Sequence, residues 1–166
     1  AKPELARLRA AAARKEDRAL AEFSPLLRAA WTIYALNRPS YEAMCSAHNE
    51  ALYQSLRANP VRNFDQAIGR DTELRQTTTN ESEALEEASS DVVYALTERI
   101  SRSQPKDMRD LAALANACAI ANDHLWRDEK DRLDWEDMYV RDLVEAVVKL
   151  AGEQLVLEGL PIPQCV

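Results

Sequence analysis

Residues 105–126, PKDMRDLAALANACAIANDHLW, make the least polar helical run in the chain and lie between two other strong helical patterns. Pro105 suits a first helical turn, and Asp107 and Asp110 complement the positive end of the helix dipole. Met108, Leu111, Leu114, Ala115, Cys118, Ala121 and Leu125 then recur at helical spacing. Ala112, Ala113, Ala117 and Ala119 fill most of the remaining faces, so no long side chain holds neighbours away. A helix without a polar side is one that other helices surround, and the fold is expected to be all-α with this helix at its centre.

Toward the carboxyl end, the charge-dense segment Arg127 to Asp134 either prolongs that helix or makes a turn. Asp134 is a good cap for a last helix, which the pattern carries to the vicinity of Gly159. Trp135, Met138, Tyr139, Leu143, Ala146, Val147 and Leu150 are expected to face the core. Val140, Val144, Val148, Ala151 and Leu155 form a second apolar flank, wider than one core contact requires. The tail LPIPQCV, residues 160–166, cannot continue a helix and is expected to lie extended against a neighbour. The candidate oligomer interface is therefore Val140, Val144, Val148, Leu155, Leu160 and Ile162.

Toward the amino end, Asn80 and Glu83 have the spacing of a capping box, and Leu85, Ala88, Val92, Ala95, Leu96 and Ile100 make an amphipathic stripe. The acidic residues of that helix, Glu81, Glu83, Glu86, Glu87 and Glu98, are expected on its solvated face. Val61 to Thr79 is the least regular part and reads as a surface loop with room for one turn of helix around Phe64 to Ile68. Ser24 and Pro25 start a helix through Trp31 and Tyr34. Pro39 is expected to break it, with Ser40 capping a third helix through His48 and Leu56 that stops at Asn59 and Pro60. These two would form an antiparallel hairpin. Residues 3–23 form a helix rich in alanine and arginine with a thin apolar stripe, which suggests an arm. The predicted architecture is an all-α bundle of five or six helices, domain 24–166, with an amino-terminal helical arm over 1–23 and an extended carboxy-terminal tail.

Composition supports that class. The chain has 166 residues, long enough for one core without disulfides or a structural metal, with 46% hydrophobic and 30% charged residues. Three glycines leave little material for tight hairpins or phosphate-cradling loops. Cys45, Cys118 and Cys165 are widely spaced, and two lie in apolar helical patterns where a reduced thiol is ordinary. No apolar run reaches the roughly 18 to 20 residues of a membrane span, and no hydrophobic signal core follows Lys2. The expectation is a cytoplasmic protein, or one inside a virus-type particle, with no membrane contact.

Candidate chemistry is thin. Cys45, His48, Cys118 and His124 offer zinc-type ligands, but not at the spacing of a zinc module. Neither histidine follows a Glu-x-x-His pattern of the di-iron bundles. The run EEASSDVVYAL, residues 86–96, resembles one half of the magnesium-binding pattern of all-α nucleotide pyrophosphohydrolases. It departs where Glu87 and Asp91 are four apart and where Glu50 has no partner on the preceding helix. There is no P-loop, GxGxxG or GxSxG sequence. The formal charge of -7 argues against broad nucleic-acid binding, yet basic residues outnumber acidic ones in the arm, where Arg7, Arg9, Arg14 and Arg18 are the candidate nucleic-acid contacts. A small, acidic, helical chain with a helical hairpin and a basic arm resembles the small DNA-packaging subunits of tailed phages in general design. That resemblance implies a nucleic-acid-handling oligomer.

The leading expectation is a non-enzymatic interaction or assembly subunit, self-associating into a larger complex of structural or viral type. Nucleic-acid handling comes second, and a magnesium-dependent hydrolase third. No catalytic residue, metal ligand or cofactor is assigned.

Overall fold

The structure, a computed structural model, describes residues 1–13, 20–78, 81–160 and 162. It contains six α-helices: α1 (Lys2–Ala13), α2 (Ser24–Ala58), α3 (Phe64–Thr78), α4 (Glu81–Ser101), α5 (Met108–Ala121) and α6 (Trp135–Leu150). Short 3-10 turns occupy Leu20–Phe23, Asp123–Trp126 and Lys130–Arg132, and there is no strand among the described residues.

The central run behaves as a surrounded helix, although it starts later than Pro105. The Asp107 carboxylate accepts from the Asp110 amide at 2.9 Å, so Asp107 is the cap. Its alanines lie deepest: Ala112, Ala113, Ala117 and Ala119 are fully buried, whereas Met108 is exposed and Leu111, Leu114 and Cys118 are only partly covered. Without long side chains there, neighbouring helices can pack directly against its backbone. Around it, one core joins Leu27, Ala30 and Trp31 of α2, Val92, Leu96 and Ile100 of α4, and Val144 and Val148 of α6.

The stretch expected to form an arm contributes to the same core. Leu5 and Leu8 of α1 and Phe23 of the following turn are buried within it. The Arg99 guanidinium donates to the Ala12 carbonyl at 3.1 Å and lies over the Phe23 ring, closing the end of α1 against α4. Asp110 is buried and accepts from the backbone amides of Ala21 and Lys106 at 2.9 and 3.1 Å, which pins the 20–23 turn to the head of α5.

Three sequence expectations are overturned. The first is the break at Pro39. The chain is one 35-residue helix from Ser24 to Ala58, and Ser40 lies inside it. An interior proline removes a hydrogen bond and costs roughly 3 kcal/mol. Contacts just before the proline and a bridge across it offset this: Asn37 donates to the Ser82 carbonyl of α4, Arg38 pairs with Glu86 of α4 at 2.6 Å, and the same guanidinium reaches past Pro39 to Glu42 of α2 at 2.9 Å. Glu86 is accordingly buried rather than solvated. The antiparallel hairpin is made instead by the outer half of α2 and α3.

The second is the loop at 61–79, most of which is α3. Asn63 starts it by accepting from the Gln66 amide at 3.0 Å, and Asp71 joins it to α2 through His48 at 2.7 Å. The Arg70 guanidinium reaches the carbonyls of Ser55 and Asn59 near the end of α2. Its apolar residues are too few to give the periodic signal that reveals a helix in sequence.

The third is the end of the last helix. Gly152, not Gly159, is the stop: its φ of +69° is the left-handed conformation, its amide bonds to the Lys149 carbonyl, and the Glu153 amide bonds to the Val148 carbonyl. This is a Schellman closure. The chain then folds back, burying Val156 and Leu157, and Asn116 of α5 accepts from the Val156 amide at 2.8 Å. Asn80, the expected cap of α4, and tail residues 161 and 163–166 lie outside the described residues.

Candidate interaction surface

The last helix carries an outward apolar surface, and it is built from a regular pattern. Asp134 caps α6 by accepting from the Asp137 amide at 3.0 Å. Trp126, Lys130, Arg141 and Glu145 then tie it to the preceding segment. Arg141 bonds the Leu125 and Asp128 carbonyls and lies over the Trp126 ring; Lys130 pairs with Asp142 and Glu145. Partial burial pushes the Glu145 carboxyl up, but hydrogen bonds from Arg141 and Lys130 outweigh it and hold the group below its ordinary range. The Asp142 and Glu145 carboxylates beside Lys130 raise that ammonium group in turn.

These anchors set the rotation of α6, and the rotation turns most of the expected core flank outward and the middle of the second flank inward, while Val147 packs against the core as expected. Val144 and Val148, expected at an interface, are 5% and 3% exposed and belong to the core of the chain itself. Trp135, Tyr139, Leu143 and Leu150, expected in the core, are 62–77% exposed. The reason is the close approach to alanine-rich α5: a valine fits between the helices there, whereas a tryptophan or tyrosine would force them apart. Of the other expected interface residues, Val140 lies at the edge of the exposed face. Leu155 and Leu160 pack partly against the core, and Ile162 is half-buried beside Trp126 and Leu155 in a surface groove.

The result is an outward stripe, Trp135, Tyr139, Leu143, Ala146 and Leu150, at spacings of four, four, three and four residues. It lies opposite the buried valines. Trp135 and Tyr139 stand edge to face with ring centres 6.0 Å apart, so part of the stripe is already ordered.

The basic residues of α1 are placed differently. Arg7 pairs with Glu4 on its own helix and Arg9 with Asp91 of α4, while Lys2 reaches Glu81 at 3.4 Å. Their positive charge is compensated locally. Arg14 and Arg18 lie outside the described residues. Between α1 and α4 runs an open groove of about 530 Å³ lined by Leu5, Ala6, Ala10, Ala84, Leu85 and Ala88.

The candidate ligand residues are dispersed. His48 is buried against Asp71, His124 is exposed, Glu50 accepts from Gln54, and Asp91 is held by Arg9. No group of three or more His, Cys, Asp or Glu residues is arranged to hold a metal ion among the described residues. No described helix is long and apolar enough to cross a membrane. Comparison with protein-family models, curated proteins and solved structures finds no match for this chain.

The exposed stripe was half legible in the sequence. Surplus apolar positions on the last helix are visible there, but which flank faces inward depends on the alanine faces of α5. Glu86 was missed as a buried partner, and its register carried the signal: residues 86, 89, 93, 96 and 100 fall on one helical face, and all are buried.

Proposed function

We propose that this protein is a non-enzymatic interaction or assembly subunit that associates with further copies of itself through α6. The observation that carries this reading is the outward stripe of α6, four large apolar side chains each more than 60% exposed along a 16-residue helix. Scattered apolar residues are ordinary on protein surfaces, but a contiguous and periodic set marks a contact.

The test is light scattering across a concentration series at low and moderate salt, with the absorbance ratio recorded for bound nucleic acid. Self-association without nucleic acid is expected. Leu143→Asp should shift the protein to monomer with helicity unchanged, whereas Val144→Asp should unfold it. A monomer at every concentration would overturn the reading. A nucleic-acid signal that fades with salt would favour a role in nucleic-acid handling instead.

A further inference from the structure

We infer that the α6 stripe receives the α6 stripe of a second copy, antiparallel, about a two-fold axis passing beside Leu143. This deepens the self-association just proposed and rests on it. In that register Trp135 meets the second copy's Leu150, Tyr139 meets the second copy's Ala146, and Leu143 meets its own equivalent. Each large ring faces a smaller or flexible side chain, and the small residue of the stripe falls opposite the ring of Tyr139. A parallel pairing would set Trp135 on Trp135 and Tyr139 on Tyr139, and would leave a gap at Ala146.

Charge favours the same orientation. Exposed Glu136 stands in the first turn of α6 and Lys149 in the last, so the antiparallel arrangement brings an acidic start to a basic end, whereas Asp137 lies on the side of Val144 and Val148 and takes no part. It also aligns the two helix dipoles head to tail, whereas parallel copies would oppose like charges and like dipole ends. Val140, on the edge of the stripe, extends the apolar contact on one side.

The area is sufficient for a specific contact and no more. A fully buried aromatic side chain covers about 150–250 Å². At their observed exposures, Trp135 and Tyr139 with Leu143, Leu150 and Val140 offer on the order of 500 Å² per copy. The total of about 1,000 Å² meets the threshold for a specific interface but not the roughly 1,600 Å² of a standard one. The contact is therefore reversible and depends on concentration. A two-fold contact of this kind is closed, so it yields dimers and leaves the α1/α4 groove free.

The experiment is a size-for-size exchange read by sedimentation equilibrium, with circular dichroism as the folding control. Ala146 and Tyr139 are both exposed, so neither substitution disturbs the core. Ala146→Tyr alone places two tyrosines against each other and should weaken the dimer by about tenfold or more. Tyr139→Ala alone opens a gap and should weaken it by about tenfold. The double variant restores one ring against one methyl group with the sides exchanged, and it should return to within about threefold of the parent dimer constant. If the parent associates but the double variant stays as weak as Ala146→Tyr, the two-fold register is wrong while self-association stands. If the parent is monomeric throughout, self-association fails and this pairing with it.

Discussion

Asn116 shows how much one polar side chain carries in this fold. It is buried on α5, its oxygen accepts from the Val156 amide at 2.8 Å, and its amide nitrogen lies 3.5 Å from the Gln154 carbonyl. It thus holds the segment that follows α6 against the core. Asn116→Ala leaves the buried Val156 amide without a partner, a loss of about 1–3 kcal/mol. The urea midpoint should fall by the corresponding amount with the denaturant slope unchanged. Asp71 gives a second prediction at this scale. Its hydrogen bond to His48, reinforced by Arg75, holds its carboxyl below the usual range. A carboxylate depressed in the folded state contributes stability that is full above its unfolded value of about 4 and is lost as pH falls through the lower folded value. The contact between α2 and α3 should therefore hold at pH 5 and loosen on acidification below about 4. Asp71→Asn should remove most of that acid response. Amide chemical shifts of α3 followed from pH 6 to pH 3 would decide it, and a parent titration identical to that of Asp71→Asn would count against the contact.

At the scale of the elements, the all-helical class and the burial of α5 were legible because both rest on local pattern: alanine on most faces, caps, and very few glycines. What was not legible depended on a second element. Pro39 reads as a stop by its own chemistry, and only Ser82 and Glu86 of α4, held by Asn37 and Arg38, explain why α2 runs through it. The rotation of α6 likewise depends on α5 and on the ties that Arg141 and Lys130 make between it and the segment before it, none of which shows in the pattern of the stripe. Two predictions follow from these pairs. Pro39 is exposed, so Pro39→Ala restores a backbone donor without emptying a core position and should stabilise the protein by about 1–3 kcal/mol. Unchanged or lower thermal stability would mean that the helix bends there to reach α4. On α6, Val148→Ala removes buried methyl groups and should cost about 2 kcal/mol of monomer stability. Leu143→Ala, five residues away on the outward stripe, should stay within about 0.5 kcal/mol when measured at concentrations where the protein is monomeric.

Across the whole molecule, stability is distributed unevenly along α2. Its 35 residues extend about 52 Å at 1.5 Å per residue, far longer than the core it enters. Leu27, Ala30, Trp31 and Ala35 are buried in the first half, and beyond them only His48 is. The outer half is partnered by α3, which contributes no buried side chain among its described residues, and Tyr53, Phe64 and Ile68 stay exposed there. Two helices joined by His48–Asp71 and by Arg70 with the end of α2 have little apolar burial to offset the entropy of ordering them. Hydrogen exchange should show this as a gradient. The amides of α5 and of the middle of α4 should exchange only through global unfolding, while those of α3 and of α2 beyond residue 50 should open locally at a small fraction of that free energy. Because the α6 stripe is not joined to this outer hairpin, the gradient should be the same at concentrations where the protein is monomeric and where it is dimeric. Protection of α3 that rises with protein concentration would place a second intermolecular contact on Tyr53, Phe64 and Ile68, and α6 would then not be the sole route to assembly.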